Sequence, residues 1–202
     1  MTLTLNGNTN TIAGLAVGGL PDGIVDTDMI AANAVTAAKT PLNTITHVDC
    51  WRITTDFTDN QAPVSANLER AIDANGNDGY GTIGDPMTVS SGVFTFPVTG
   101  IWRVEFSGFY ANTNPSATTN TVIKLTLNNG SDWDIVAQSV DSIGDDGSHD
   151  VYAATYCSCI LDINDLSNRK VRFDVSHEAT TVTFKCNADK RINMTFTRLG
   201  DT

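Results

Sequence analysis

The stretch VFTFPVTGIWRVEFSGFYA, Val93 to Ala111, alternates apolar and polar residues and is broken once, by Pro97-Val98-Thr99-Gly100. A period of two is what a half-buried β-strand requires, because successive side chains leave opposite faces of the pleat. The stretch therefore predicts two strands joined as a hairpin. In the second strand, Trp102, Val104, Phe106 and Gly108 share one face, and Ile101, Arg103, Glu105, Ser107 and Phe109 share the other. The first face reads as core. The second, with two apolar residues flanking charges, reads as solvated or as a contact between subunits.

Working outward, the same grammar continues on both sides. THVDCWRITTDF (46–57) precedes the hairpin, and NTVIKLTLNNG (120–130) follows it, ending in an Asn-Asn-Gly turn signal. Further strands are expected at DWDIVAQSV (132–140), VYAATYCSCILDI (151–163), KVRFDVS (170–176), TVTFKCN (181–187) and INMTFTRL (192–199). Nine or ten strands with Gly-, Asn- and Asp-rich turns between them predict an all-β sandwich or jelly roll rather than βαβ units. Ala62 to Gly79 breaks the pattern and reads as a long loop with one helical turn at most.

Composition changes near residue 45. All fifteen aromatic residues lie at or beyond Trp51. Residues 1–45 are rich in Ala, Gly, Thr and Asn, whose small side chains bury too little area, at about 25 cal/mol per Å², to order the segment alone. It is expected to be flexible or ordered by a partner, copies of itself included. VDTDMI (25–30) is echoed by VTAAKT (35–40), and Asp26 or Thr27 is placed to cap a short helix with Asp28 in its first turn, Lys39 in its last and Pro41 beyond it. The division expected is 1–45 and 46–202.

Charge and chemistry narrow the function. The net charge of −11 argues against nucleic acid as a partner, since phosphate binding needs clustered Lys and Arg. The densest basic group, Arg169, Lys170 and Arg172, reads as a solvated strand edge. No run of about 18 apolar residues and no leader pattern is present, so neither membrane insertion nor a signal peptide is expected. Cys50, Cys157, Cys159 and Cys186 lack the paired spacing of a zinc site and read as buried free thiols, with a Cys50–Cys186 bridge open if their strands adjoin. His47, His149 and His177 share no motif, and no nucleophile elbow, phosphate loop or His-Glu-x-x-His helix occurs, so no catalytic activity and no cofactor are expected. Asp141, Asp145, Asp146 and Asp150 offer oxygen ligands in an acidic loop, but their spacing is not that of a calcium helix-loop-helix. Loop residues Tyr110, Asn112, Asn114 and His149 are the candidates for contact with a glycan or protein receptor, because a rigid scaffold positions loops for binding.

Two resemblances add to this reading. GVFTFPVTGIWRVEFSGFY, with Phe94, Phe96, Pro97, Gly100, Trp102 and Phe106, resembles the signature of the trimeric jelly-roll superfamily of tumour necrosis factor and the complement globular heads. CILDINDLSNRKVRFDV is similar to that superfamily's strand, Asp-centred turn and following strand, and INMTFTRL to its closing strand. The resemblance covers about residues 46–202 and implies a jelly-roll β-sandwich that forms a homotrimer through one sheet. GLAVGGLPDGIVDTDMIAANAVTAAK (14–39) resembles segments near the start of bacteriophage fibre-like and other virion proteins. It implies a virion protein whose N-terminal segment docks on other virion proteins, with Leu15, Val17, Leu20, Ile24, Met29 and Ile30 as its apolar contacts. The function expected is a non-enzymatic tail-fibre, spike or knob component. The alternatives are a capsid decoration or head-fibre protein and, in a different class, a soluble carbohydrate-binding module.

Overall fold

A computed structural model describes residues 4–6, 11–13, 45–71, 81–112, 117–144, 147, 149–186 and 193–202. The chain divides into two units, Met1–Leu42 and Asn43–Thr202. In the first, β1 (Thr4–Asn6) and β2 (Thr11–Ala13) form a two-stranded antiparallel ladder with Leu5 opposite Ile12. The expected capped helix and the six docking residues from Leu15 to Ile30 lie outside the described residues.

The second unit is a jelly-roll β-sandwich. Its strands are β3 (Val48–Ile53), β4 (Leu68–Arg70), β5 (Thr82–Ile83), β6 (Thr88–Ser90), β7 (Val93–Thr95), β8 (Gly100–Asn112), β9 (Ala117–Thr126), β10 (Asp134–Ile143), β11 (Val151–Ile163), β12 (Lys170–His177), β13 (Val182–Phe184) and β14 (Asn193–Gly200). One sheet runs β10-β9-β12-β7-β6. The other runs β11-β8-β14-β3-β4, with β13 continuing along β8 and β5 along β3. Every pairing between these strands is antiparallel.

The opening stretch forms two strands as expected, but they are not a hairpin. β7 pairs with β6 and β12 in the five-stranded sheet, whereas β8 pairs with β11, β13 and β14 in the other. Phe96 to Thr99 carries the chain across the sandwich. The physical reason is the core: Phe94 and Phe96 come from one layer and Trp102 and Phe106 from the other, and all four are buried between them. Phe94 meets Trp51 at 5.4 Å edge-on, Phe173 at 5.4 Å and Phe196 at 5.2 Å, while Phe96 meets Trp102 at 5.2 Å. Each such ring contributes about 1.5–3 kcal/mol by burial and roughly 0.5–1.5 kcal/mol more per well-oriented pair.

A second crossing links β11 to β12 through the expected Asp-centred turn. Asp165 Oδ1 accepts from the backbone N–H of Ser167 (2.9 Å) and of Asn168 (3.2 Å), and Oδ2 from the Asn168 amide (2.7 Å). These bonds, the Asn168 side chain first, hold its carboxyl below the ordinary range. In the five-stranded sheet the hairpins are β9–β10, turned at Asn129 and Gly130 (φ 58° and 95°), and β6–β7, turned at Ser91 and Gly92 (φ 49° and 79°). Both pairs of positive φ fit the short turns that join twisted strands.

One further expectation is corrected. Leu68–Arg70, inside the presumed loop with its helical turn, is strand β4 on β3. All four cysteines are free, as expected, and the bridge left open between Cys50 and Cys186 is not made: Cys50 on β3 and Cys186 beyond β13 lie on strands that do not pair. Cys157 and Cys186 are buried, and Cys50 and Cys159 half-buried.

Candidate assembly face and loop end

The seven-stranded sheet has two unlike faces. Inward, β8 buries Trp102, Val104, Phe106 and Tyr110, and β11 buries Ala153, Thr155, Cys157, Leu161 and Ile163. Outward, the same strands present Ile101, Arg103, Glu105, Ser107 and Phe109 beside Tyr152, Ala154, Tyr156, Ser158 and Ile160. The register sets these neighbours: Ile160 lies opposite Arg103, Ser158 opposite Glu105 and Tyr156 opposite Ser107. Ile160 is 67% exposed, Tyr152 53%, Tyr156 52% and Leu199 39%, which puts four large apolar side chains in water on one side of the molecule.

Arg103, Glu105 and Tyr156 on this face are paired with one another. The Arg103 guanidinium donates to the Tyr156 hydroxyl at 3.1 Å and lies 2.8 Å from Glu105 Oε1. The Tyr156 hydroxyl in turn donates to Glu105. The Tyr156 bond, with Glu105 behind it, raises the Arg103 pKa above its ordinary value. Phe109 and Tyr152 stack with ring centroids 5.5 Å apart. Arg103, Ser158, Cys159, Ile160 and Leu199 surround a shallow hollow of about 620 Å³. A face that is apolar in area and neutral in its one charged pair loses little on desolvation, since its charges keep their partners.

The second candidate region is one end of the sandwich. Ile143 pairs with Ala117 and Val151 with Asn112, so the loop after β8 and the acidic loop after β10 spring from the same end. Glu178 N–H donates to Thr118 O (3.2 Å) and brings the turn after β12 to them. His177 Nε2 lies 2.5 Å from Thr58 O, and its backbone N–H donates to Asn60 Oδ1 at 2.8 Å. Thr58, Asp59, Asn60, His177, Glu178 and Thr180 line a hollow of about 330 Å³ on one side of His177. Thr118, Asn120, Val140 and Ser176 line one of about 350 Å³ on the other.

Two of the proposed contact residues are corrected by this arrangement. Tyr110 is fully buried, with its hydroxyl 3.2 Å from Thr155 Oγ1, and burial pushes its phenol well above the ordinary value. Asn112 is buried too, accepting from Thr181 Oγ1 at 2.7 Å. β8 extends through Asn112 and pairs on both sides, so what reads as loop is strand interior. His149 is exposed at this end, and Asn114 lies outside the described residues. Of the acidic residues, Asp141 Oδ1 accepts from the Ser142 N–H (2.8 Å) and Asp150 from the Tyr152 hydroxyl (3.4 Å). Asp145 and Asp146 lie outside the described residues. Among the described residues, no three His, Cys, Asp or Glu side chains are grouped to hold a metal.

Sequence reasoning missed the hollows beside His177, whose lining comes from four separate segments with no common motif. It also missed the ladder of Tyr152, Tyr156 and Ile160, although the alternation along β11 is the signal that puts all three on its outward positions.

No protein-family model and no curated protein matches this sequence. Solved structures do match. Eiger TNF from S. frugiperda superposes with a TM-score of 0.57 at 13% identity over 79% of this chain and 96% of its own. Murine APRIL determined at pH 5.0 gives 0.53 at 10% identity, over 76% of this chain and 98% of its own. At this level of identity the likeness shows the fold: residues 43–202 form a tumour-necrosis-factor-like jelly roll.

Proposed function

We propose that this chain is a non-catalytic structural protein of a bacteriophage particle: a homotrimeric jelly-roll head attached through residues 1–45, which serves host contact or tail assembly. The observation that carries the trimer is the exposed Tyr152–Tyr156–Ile160–Leu199 face of the seven-stranded sheet. Apolar patches of this kind on one sheet mark protein contacts, and the superfamily that the Phe94–Phe106 signature resembles assembles through one sheet. A closed ring of three would cover the face and set three N-terminal segments together. The phage assignment rests on the likeness of residues 14–39 to segments of virion proteins.

Native mass spectrometry of the full-length protein tests the assembly, with a mass of three chains expected and a mass of one chain overturning it. Deleting residues 1–45 tests the docking role: the head is expected to keep its mass while incorporation into particles is lost. Antibody labelling of intact virions separates a tail position, which is expected, from a capsid decoration, in which label spreads over the shell.

A further inference from the structure

The outer face of the five-stranded sheet carries a groove of about 380 Å³, within the range of small-ligand sites of roughly 300–1,000 Å³. Its walls are the β6–β7 turn (Ser90, Ser91), Pro63 and the β9–β10 turn (Asn129, Gly130, Trp133), and its floor is Val93, Thr95, Lys170 and Arg172. The basic cluster is therefore not at a sheet edge, as expected from the sequence. β12 lies between β9 and β7, and Lys170 and Arg172 rise from the middle of the sheet.

The chemistry of the groove is unlike the rest of the surface. Arg172 lies over the Trp133 ring at 4.7 Å to the centroid and is anchored to Asp174 at 3.2 Å. Lys124 also meets Asp174, at 2.9 Å. Lys170 has no ion pair among the described residues. The lining of the groove holds Lys170 and Arg172 and no acidic residue, on a chain whose net charge is −11. The polar groups that line it include the Lys170 ammonium, the Arg172 guanidinium, the Trp133 indole N–H, the Asn129 amide and the hydroxyls of Ser90, Ser91 and Thr95. Asp132 on the flanking turn accepts from the Asn128 amide at 2.8 Å. Gly130 lies against the indole, where a Cβ would stand 3.9 Å from Nε1, so that edge of the ring is met by a residue with no side chain.

We infer that this groove binds an acidic saccharide: the carboxylate of the sugar on Lys170 and Arg172, its ring against Trp133, and its hydroxyls on Asn129 and the serines. A cation pair alone suits any anion. The indole and the ring of hydroxyl and amide groups select a sugar, whose C–H face packs on an aromatic and whose hydroxyls need both donors and acceptors. The site stands independently of the trimer, because it lies on the opposite outer face from Tyr156 and Ile160 and stays open when that face is covered.

The test is calorimetric titration of the full-length protein with tetragalacturonate and 3′-sialyllactose, with maltotetraose, lactose and inorganic phosphate as controls. At least one carboxylated probe is expected to bind, the neutral sugars not to bind, and phosphate to compete at least tenfold more weakly. Lys170→Gln and Trp133→Leu, chosen because neither removes a partner of Asp174, are each expected to weaken binding by about tenfold or more. Their thermal midpoints report whether the fold is intact. Absence of heat with both carboxylated probes at millimolar concentration overturns the site, as does equal binding by phosphate or unchanged binding by folded Lys170→Gln and Trp133→Leu.

Discussion

Asp49 and Arg70 form an ion pair between neighbouring strands of the seven-stranded sheet, Nε to Oδ1 at 3.1 Å, in which the carboxylate is buried and the guanidinium lies over the Trp51 ring at 4.6 Å. The carboxylate is saturated: Trp51 Nε1 donates at 2.9 Å, Met87 N–H at 2.8 Å and Thr82 Oγ1 at 3.3 Å. Arg70 also reaches Met87 O at 2.6 Å. One side chain thus joins β3, β4, β5 and the segment before β6.

Removing one partner of such a pair costs more than the pair contributes, because a buried charge is left behind. Arg70→Ala strands Asp49 and is expected to destabilise the head by about 3 kcal/mol. The double variant Asp49→Ala with Arg70→Ala is expected to be less damaging than the two single losses added. Urea unfolding of all three variants measures this, and strict additivity would sink the coupling.

At Gly108 nothing larger than hydrogen fits without a shift in the core. Gly108 faces inward on β8, and a Cβ there would stand 2.6 Å from the Tyr110 hydroxyl, 2.7 Å from Thr121 Cγ2 and 2.8 Å from Thr155 Oγ1. These groups form a buried hydroxyl cluster, with Thr121 donating to Thr155 at 3.0 Å. Gly108→Ala is expected to cost about 1–3 kcal/mol through overpacking. Tyr110→Phe, which removes only the hydroxyl, should cost nearer 1 kcal/mol. Thermal unfolding decides the order, and a Gly108→Ala midpoint at or above that of Tyr110→Phe would reject the steric account.

How much of this was legible in the sequence follows from what alternation encodes. It reports which face a side chain takes, so the buried Trp102, Val104 and Phe106 and the outward Ile101, Arg103 and Phe109 could be read directly. It does not report which strand lies alongside. β7 and β8 are adjacent in sequence yet sit in opposite sheets, since the partner of Phe94 is Val171 and that of Trp102 is Leu161. β4 gave no signal because Leu68–Arg70 is held by charges, Arg52 to Glu69 at 3.2 Å and Arg70 to Asp49, rather than by an apolar pattern. Asn112 looked like loop because it is polar. The group that satisfies it, Thr181, comes from 69 residues further along the chain. The groove above Arg172 was hidden for the same reason, being assembled from four segments with no shared motif.

The buried thiols and phenol make stability depend on alkaline pH. Burial pushes Cys186 up to about 12 and Cys159 up to about 11 from an ordinary 9.0, and raises Tyr110 and Cys157 as well. The fold favours the protonated forms, so the unfolded chain loses these protons at lower pH than the folded one does. Their contribution is fully present below about pH 9 and is lost as pH rises toward 12. The urea midpoint is expected to fall from pH 8.5 to pH 11, and Cys186→Ala to shallow that fall. A midpoint that stays level across the window would exclude the effect.

Exposed apolar residues also occur away from the proposed assembly face, and this supplies the sharpest control for it. Val140 on β10, at the edge of the five-stranded sheet, is 59% exposed and Ile160 on β11 is 67% exposed, so the two are alike in kind and in contact with water. Ile160 shares its hollow with Leu199 and its face with the self-paired Arg103–Tyr156–Glu105 group, whereas Val140 is set beside the polar Thr118, Asn120 and Ser176. In a trimer closed on that sheet, Ile160→Glu buries an unpaired carboxylate in each subunit contact, at a cost of several kcal/mol each. Val140→Glu leaves its charge in water. Sedimentation of the two variants at equal concentration is expected to give a single chain for Ile160→Glu and three chains for Val140→Glu. If both stay at three chains, the contact lies on another surface. If both fall to one, the loss reflects the fold rather than this face.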